Sequence, residues 1–292
     1  MHPVSFRNPF ERTSQATVVA VIPARYASTR LPGKPLADLD GRPMIEHVYR
    51  RAAHARGVDA VVVATDDRRV ADAVERFGGV ARMTRADHQT GMDRIAEVAA
   101  ELHAEIIVNV QGDEPLVEPS AIAAMVDALQ ADPALPMATV RTPIRRADDY
   151  SSPHVVKVVA DAGGNALYFS RSPIPYLPPE GGSHRITSVS SGFSGTQGAD
   201  VVSGFSRTYK HLGLYAYRRD FLLRLAALPR TALEQAESLE QLRALEHRFR
   251  IRAVETEYDS IGVDTPEDLE RVRQAILTAT GDFRLKAEAT RA

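Results

Sequence analysis

The sequence predicts an α/β protein with a mostly parallel central sheet, on three observations. Continuous apolar runs at 18–22, 60–64 and 106–110 read as strands buried on both faces. Amphipathic stretches lie between them, such as the one in which Ile45, Val48, Tyr49 and Ala52 mark a single helical face. Glycines punctuate the ends of several of these stretches, as expected where crossover helices join parallel strands.

Residues 18–22 form the first strand, and Pro23, which has no N–H to donate, is expected to end its ladder. The loop that follows carries Arg25, Arg30 and Lys34. Gly33 permits close backbone approach and Ser28 and Thr29 offer hydroxyls, a set suited to a polyphosphate. A solvated basic loop would carry the same charges. Its place at the carboxyl end of the first strand, where open α/β sheets bind ligands, favours the anion site. It is neither a Walker loop, because Pro35 follows Lys34, nor a dinucleotide loop, because no G-x-G-x-x-G opens a helix.

Pro43 suits the first position of a helix that Gly57 stops. The second strand, 60–64, runs into Thr65-Asp66-Asp67 and a helix over 68–77 closed by Gly78-Gly79. A short strand at 80–83 and a helix at 91–103 precede the strand 106–110, which delivers Gln111-Gly112-Asp113-Glu114-Pro115. A helix over 119–129 and strands at 137–141, 155–159 and 166–170 follow, after which prolines keep 168–176 extended. The stretch 178–208 is rich in Gly and Ser with no sustained apolar period. Order resumes with a strand at 211–217, helices at 219–228 and 233–247 and a strand at 251–254. Thr265 as N-cap, Pro266 at N1 and Asp268 at N3 open a last helix to about 277, where Gly281 is expected to stop the chain before a loose polar tail.

Composition narrows the chemistry. At 292 residues, 44% hydrophobic and 25% charged, the chain can build one large or two modest domains. A net charge of −2 gives no bulk attraction to nucleic acid or an anionic membrane. The absence of cysteine removes disulfides, thiolate catalysis and cysteine-type zinc or iron–sulfur sites. Residues 1–16 lack the apolar core of a signal peptide, and no run of about 18 apolar residues occurs, so a cytosolic protein is the expectation. H-E-x-x-H and G-x-S-x-G are both absent, which disfavours a zinc site and serine hydrolysis; His47 and His54 read as partly exposed helix residues.

Asp113 follows a buried strand and Asp264 precedes a helix, far apart in the chain. Two such carboxylates, brought together, are the oxygen donors Mg²⁺ takes when it is shared with substrate phosphates. Each alone is also an ordinary turn or cap residue. The polyphosphate loop in the same sheet argues for the metal, because a triphosphate arrives with its cation. A second polar and aromatic group comprises Arg85, Asp87, His88, Gln89, Arg171, His211, Tyr215, Glu240 and Gln241. These residues could recognise an acidic sugar, although residue types alone favour a polar surface with one aromatic core member.

The loop Ile22-Pro23-Ala24-Arg25-Tyr26-Ala27-Ser28-Thr29-Arg30-Leu31-Pro32-Gly33-Lys34-Pro35-Leu36 resembles the signature of 3-deoxy-manno-octulosonate (Kdo) cytidylyltransferases, also called CMP-Kdo synthetases. The resemblance spans about 18–277 and includes Met83-Thr84-Arg85-Ala86-Asp87-His88-Gln89-Thr90-Gly91, Asn109-Val110-Gln111-Gly112-Asp113-Glu114-Pro115, Tyr168-Phe169-Ser170-Arg171, His211-Leu212-Gly213-Leu214-Tyr215, Ser238-Leu239-Glu240-Gln241-Leu242-Arg243 and Gly262-Val263-Asp264-Thr265-Pro266-Glu267-Asp268. It implies a Rossmann-like nucleotidyltransferase fold, a homodimer, Mg²⁺ and the reaction CTP + Kdo → CMP-Kdo + pyrophosphate, a step toward lipopolysaccharide.

By position it implies that Arg25, Ser28, Arg30 and Lys34 hold the CTP phosphates, Gln111 lies beside the reacting groups, and Asp113 and Asp264 bind the metal. The sugar site would draw on Gln89, Arg171, His211, Tyr215, Glu240 and Gln241. Gln235 stands where the family commonly has a histidine, and 178–208 is longer than the family's linker. The layout expected is a flexible extension at 1–16, one domain at 17–281 and a flexible tail at 282–292. Within the domain, 140–218 would form a smaller mixed lid and dimerisation segment with a loose loop at 179–207. The rivals are a cytidylyltransferase for another acidic sugar, such as a sialic acid, and a nucleotide-binding regulator that has lost catalysis.

Overall fold

A computed structural model describes Phe10, Thr13 and residues 15–27, 31–177, 208–259 and 261–289, those from 279 onward as backbone only. The chain enters through β1 (Val18–Ala24), a 3₁₀ turn (Lys34–Leu36), a small hairpin of β2 (Asp38–Leu39) and β3 (Arg42–Pro43), and α1 (Met44–Ala53). β4 (Ala60–Thr65), α2 (Arg68–Arg76), β5 (Ala81–Met83), α3 (Gly91–Ala100), β6 (Ile106–Asn109) and α4 (Pro119–Ala131) continue the alternation. Then come β7 (Met137–Pro143), α5 (Ala147–Ser151), β8 (Lys157–Ala160), β9 (Ala166–Ser170) and β10 (Tyr209–Arg218). α6 (Arg219–Ala227), α7 (Ala232–Glu237), α8 (Gln241–Glu246), β11 (Ile251–Glu255) and α9 (Pro266–Ala289) complete it.

The described strands other than the hairpin join one sheet in the order β11-β7-β10-β6-β1-β4-β5, with β8 and β9 added beside β10. β1 is parallel to β4 and β6, and β4 to β5, while β10 runs antiparallel between β6 and β7. The apolar runs are continuous because both faces of the sheet are covered. Val18, Ala20 and Ile22 pack with Ile45 and Val48 of α1 and Met125 of α4. Val19 and Val21 pack on the other face with Ile95 of α3 and Leu222 of α6. Each such side chain stabilises the fold by about 1.5–3 kcal/mol on full burial.

Several expectations are corrected. β1 does not stop at Pro23; its pairing with β6 ends at Val21, but the ladder with β4 continues through Pro23 to Ala24. Proline forfeits one donor and keeps its carbonyl, so one side of the strand stays paired. Pro43 is the N-cap of α1, not its first residue, because it still belongs to the hairpin. The single helix expected over 233–247 is two, α7 and α8. Ser238 turns left-handed at φ 53°, and the Leu239 amide donates back to the Glu234 carbonyl at 3.1 Å, closing α7 while Leu239 is buried. α9 runs through Gly281 to Ala289, so the tail expected from 282 is helical as far as the structure describes it. An isolated glycine costs about 1 kcal/mol against alanine in a helix and stops it only where the chain leaves the helical region.

The segment 140–218 joins the main sheet at both ends. Its ends, β7 and the second half of β10, are interior strands of the sheet, and α5, β8 and β9 extend from them. Of the N-terminal extension, Thr13 is buried and the Phe10 ring lies 5.0 Å from the Arg82 guanidinium. The expected loose loop at 179–207 lies outside the described residues, as does most of 1–16.

Candidate active site

The carboxyl ends of β1 and β6 open side by side into a cavity of about 380 Å³ lined by Arg25, Lys34, Gln111, Asp113 and Asp264 among others. Gly112 lets these two ends meet: a Cβ there would come 2.8 Å from the Pro23 carbonyl oxygen. The Asp113 carbonyl accepts the Val263 amide at 2.9 Å, which carries the neighbouring Asp264 to the same place. Asp268 then accepts the amides of Asp264 and Thr265 at 3.1 Å each, while the Asp268 amide donates to Thr265 Oγ1 at 3.2 Å, so the expected cap of α9 also fixes Asp264.

Lys34 completes the cluster. Gly33 takes φ 71° and donates its amide to Tyr26 O at 3.2 Å, closing the loop so that the 3₁₀ turn points Lys34 inward. Lys34 Nζ lies 2.6 Å from Asp113 Oδ2 and 3.0 Å from Asp264 Oδ1. One cation thus stands between two hard oxygen donors, the position a divalent ion would take. Arg25 is exposed on the rim and donates from Nη2 to the His88 carbonyl at 2.5 Å. Ser28 and Arg30, expected to join it, lie outside the described residues.

Gln111 connects this cavity to the second group. Its Nε2 donates to the Gly213 carbonyl at 3.0 Å. Gly213 sits in a bulge of β10, between the pairs Leu212–Val140 and Tyr215–Thr139, which inserts two residues and so keeps His211 and Tyr215 on one face. Their rings meet at 5.3 Å, and Phe169 closes on His211 at 4.9 Å. Buried Thr139 gives its proton to Leu214 O at 2.6 Å, so at 2.9 Å it must accept from His211 Nε2–H. Burial pushes the His211 imidazole down to about 3, consistent with this neutral tautomer.

Tyr215 donates to Gln241 Oε1 at 3.1 Å, and burial raises its phenol far above the ordinary range. Gln241 is 2% exposed, and its Nε2 has no hydrogen-bond partner among the described residues. Burial raises the neighbouring Glu240 carboxyl, against a hydrogen bond from Thr90 and the charge of Arg243. The buried pair Arg243–Glu234 at 2.5 Å ties α8 to α7 beneath these residues. The structure therefore brings His211, Tyr215 and Gln241 together and sets Glu240 beside Gln241. Arg171, expected in the sugar site, lies differently: its Nε donates to Glu237 O at 2.8 Å and its Nη1 to Pro153 O at 3.1 Å, so two of its N–H groups are engaged by backbone carbonyls. Gln89 is exposed and bonds the Asp87 carbonyl at 3.1 Å.

Sequence reasoning missed several members. Glu237 accepts from Ser170 Oγ at 2.6 Å and the Arg171 amide at 2.9 Å; burial would raise its carboxyl, but these bonds hold it below the usual range. Its place three residues before Glu240 was the available signal. Buried Asn109 is paired with Tyr215 across the sheet and has an Oδ1 without a partner among the described residues. Thr139 carries no sequence signal at all, because its role depends on the bulge opposite.

The model of the cytidylyltransferase family matches residues 19–251. The 3-deoxy-manno-octulosonate cytidylyltransferase of Pelobacter propionicus is 55% identical over 257 residues, covering 88% of this chain and 96% of its own. The enzyme of the same name from Geobacter sulfurreducens is 54% identical over 259 residues, covering 89% and 99%. A solved CMP:2-keto-3-deoxy-manno-octonic acid synthetase, in complex with CTP, matches with a TM-score of 0.79 and 46% identity over 90% of this chain and 99% of its own. With the family model matching most of the chain and these relatives matching it nearly end to end, the chain belongs to the 3-deoxy-manno-octulosonate cytidylyltransferase family.

Proposed function

We propose that this chain transfers the cytidylyl group of CTP to Kdo, giving CMP-Kdo and pyrophosphate for lipopolysaccharide synthesis. The observation that carries the reading is the cluster of Lys34, Asp113 and Asp264 in one cavity with Arg25 and Gln111. Asp113 and Asp264 would hold Mg²⁺, which shields the triphosphate charge when bound. Lys34, released from those carboxylates, and Arg25 hold phosphate oxygens and stabilise the departing pyrophosphate. Gln111 orients the α-phosphate from its place between the cavity and the bulge of β10. The sugar lies against His211, Tyr215 and Gln241, where the free amide of Gln241 and the carbonyl of Asn109 offer a donor and an acceptor to a polyhydroxylated ligand. Its anomeric oxygen attacks the α-phosphorus in line: the new P–O bond forms, the bond to the β-phosphate oxygen breaks, and the hydroxyl proton is lost.

The enzyme acts in the cytoplasm as a homodimer in this reading. No described helix is long and apolar enough to cross a membrane, and Leu167 and Tyr176, 62% and 79% exposed beside β9, suit a covered surface. Light scattering on the purified chain tests the dimer. The function is tested by measuring pyrophosphate release from CTP and Mg²⁺ with either Kdo or N-acetylneuraminate. Release with Kdo alone is expected; release only with the sialic acid, or CTP binding without release, would overturn the reading.

A further inference from the structure

We propose that His88 and Glu97 form a positioning pair that sets Arg25 for the nucleotide, an inference that rests on Arg25 holding a CTP phosphate. Arg25 is an exposed side chain just past β1, and an unrestrained arginine in solvent samples many rotamers. Its Nη2 bond to the His88 carbonyl, at 2.5 Å, restrains it and leaves its other N–H donors for a phosphate. A carbonyl can do this only if its own backbone is fixed.

His88 lies within the connection 84–90 between β5 and α3. The start of that connection is held by the Thr84 amide on Thr65 O at 2.8 Å and by Arg94, fully buried, on the Thr84 hydroxyl. Its end is held by the capping box of Thr90 and Asp93. Between these anchors the restraint comes from Glu97 on α3. Its Oε2 accepts both His88 Nε2–H and, at 3.1 Å, the Arg85 amide. The His88 side chain is 7% exposed, so the pair is packed under the loop and away from the cavity lining. Burial alone would raise the Glu97 carboxyl, yet the bonds from His88 and Arg85 hold it below the usual range, so it remains an acceptor at neutral pH. His88 and Glu97 thus act on the nucleotide through the backbone that Arg25 grips.

CTP dissociation constants measured by calorimetry on the purified chain test the pair. Arg25→Ala and Glu97→Ala should each weaken CTP roughly tenfold, and His88→Ala somewhat less because the Arg85 anchor survives. Glu97→Gln keeps an acceptor oxygen and should stay within about twofold of the parent. In the double variant Arg25→Ala/Glu97→Ala, the second change should add almost nothing, because both act through one arginine. Multiplied losses in the double variant would instead mark a general structural role and overturn the inference. So would unaltered CTP affinity in both Glu97→Ala and His88→Ala beside a weakened Arg25→Ala. Normal affinity in Arg25→Ala would overturn the phosphate reading of Arg25 and the pair with it. Should Glu97→Ala fail to fold, the same cycle is run with His88→Ala.

Discussion

At the phosphate end, Lys34, Asp113 and Asp264 meet from three loops with side chains 14%, 35% and 49% exposed, whereas His211, Tyr215 and Gln241 sit on β10 and α8 within the body. The first end sets one cation against two carboxylates in an open cluster, so in the function proposed above a divalent ion would replace the lysine at little cost in packing. The second satisfies its groups through buried hydrogen bonds, so what it recognises is tied to what holds it up. A change at the loops should therefore register in turnover, and a change on β10 in both recognition and stability.

Asp113→Asn is the sharpest way to break that contrast. It should lower magnesium-supported pyrophosphate release by about 100-fold or more. The melting temperature should move by no more than about 2–4 °C, because the group lies in an open polar cluster. Undiminished turnover would sink the metal role, and a collapsed melting point would show that the loops carry the fold. Next in size, Lys34→Ala should weaken CTP roughly tenfold with the sugar KM unmoved. Tyr215→Phe, which removes only the bond to Gln241, should raise the sugar KM about three- to tenfold and leave CTP binding alone. If either variant moved both substrates equally, the two ends would not be separable.

Much of the phosphate end was legible in the sequence because its parts are local. A strand, a loop with Gly33 and a strand-end Asp113 each announce themselves within a few residues, and the cap of Thr265 and Asp268 located Asp264. What the sequence withheld was the amide bond from Val263 to the Asp113 carbonyl that joins them. At the sugar end the spacing of four between His211 and Tyr215 already puts them on one face of a strand. Hidden from the sequence were the bulge that inserts two residues opposite Thr139 and the helix break at Ser238 that brings Gln241 to Tyr215. Both are irregularities created by long-range packing, so helical periodicity ran straight across 233–247 and overlooked the break. The same tertiary override carried β1 past Pro23, through its ladder with β4.

The smallest effect expected separates the two ends by pH. Burial lowers the His211 imidazole to about 3, against about 6.5 in the unfolded chain. Between those values the unfolded state takes up a proton that the folded state refuses, so stability rises with pH across the window and falls on acidification, by at most about 1.4 kcal/mol per unit. Carboxylates such as Glu97 and Glu237, held low by their hydrogen bonds, act in the same direction but below the ordinary carboxylate range, and the raised Glu240 acts in the opposite one. From pH 6.5 to 5 the histidine favours unfolding on acidification while the raised Glu240 works against it, so the difference between parent and variant isolates the histidine. Urea unfolding should show a loss over that interval about 1–2 kcal/mol larger in the parent than in His211→Gln, which keeps an N–H for Thr139. The slope of Asp113→Asn should match the parent's. An unchanged slope in His211→Gln would mean that the imidazole accepts a proton in place, and that the sugar end is as open to water as the phosphate end.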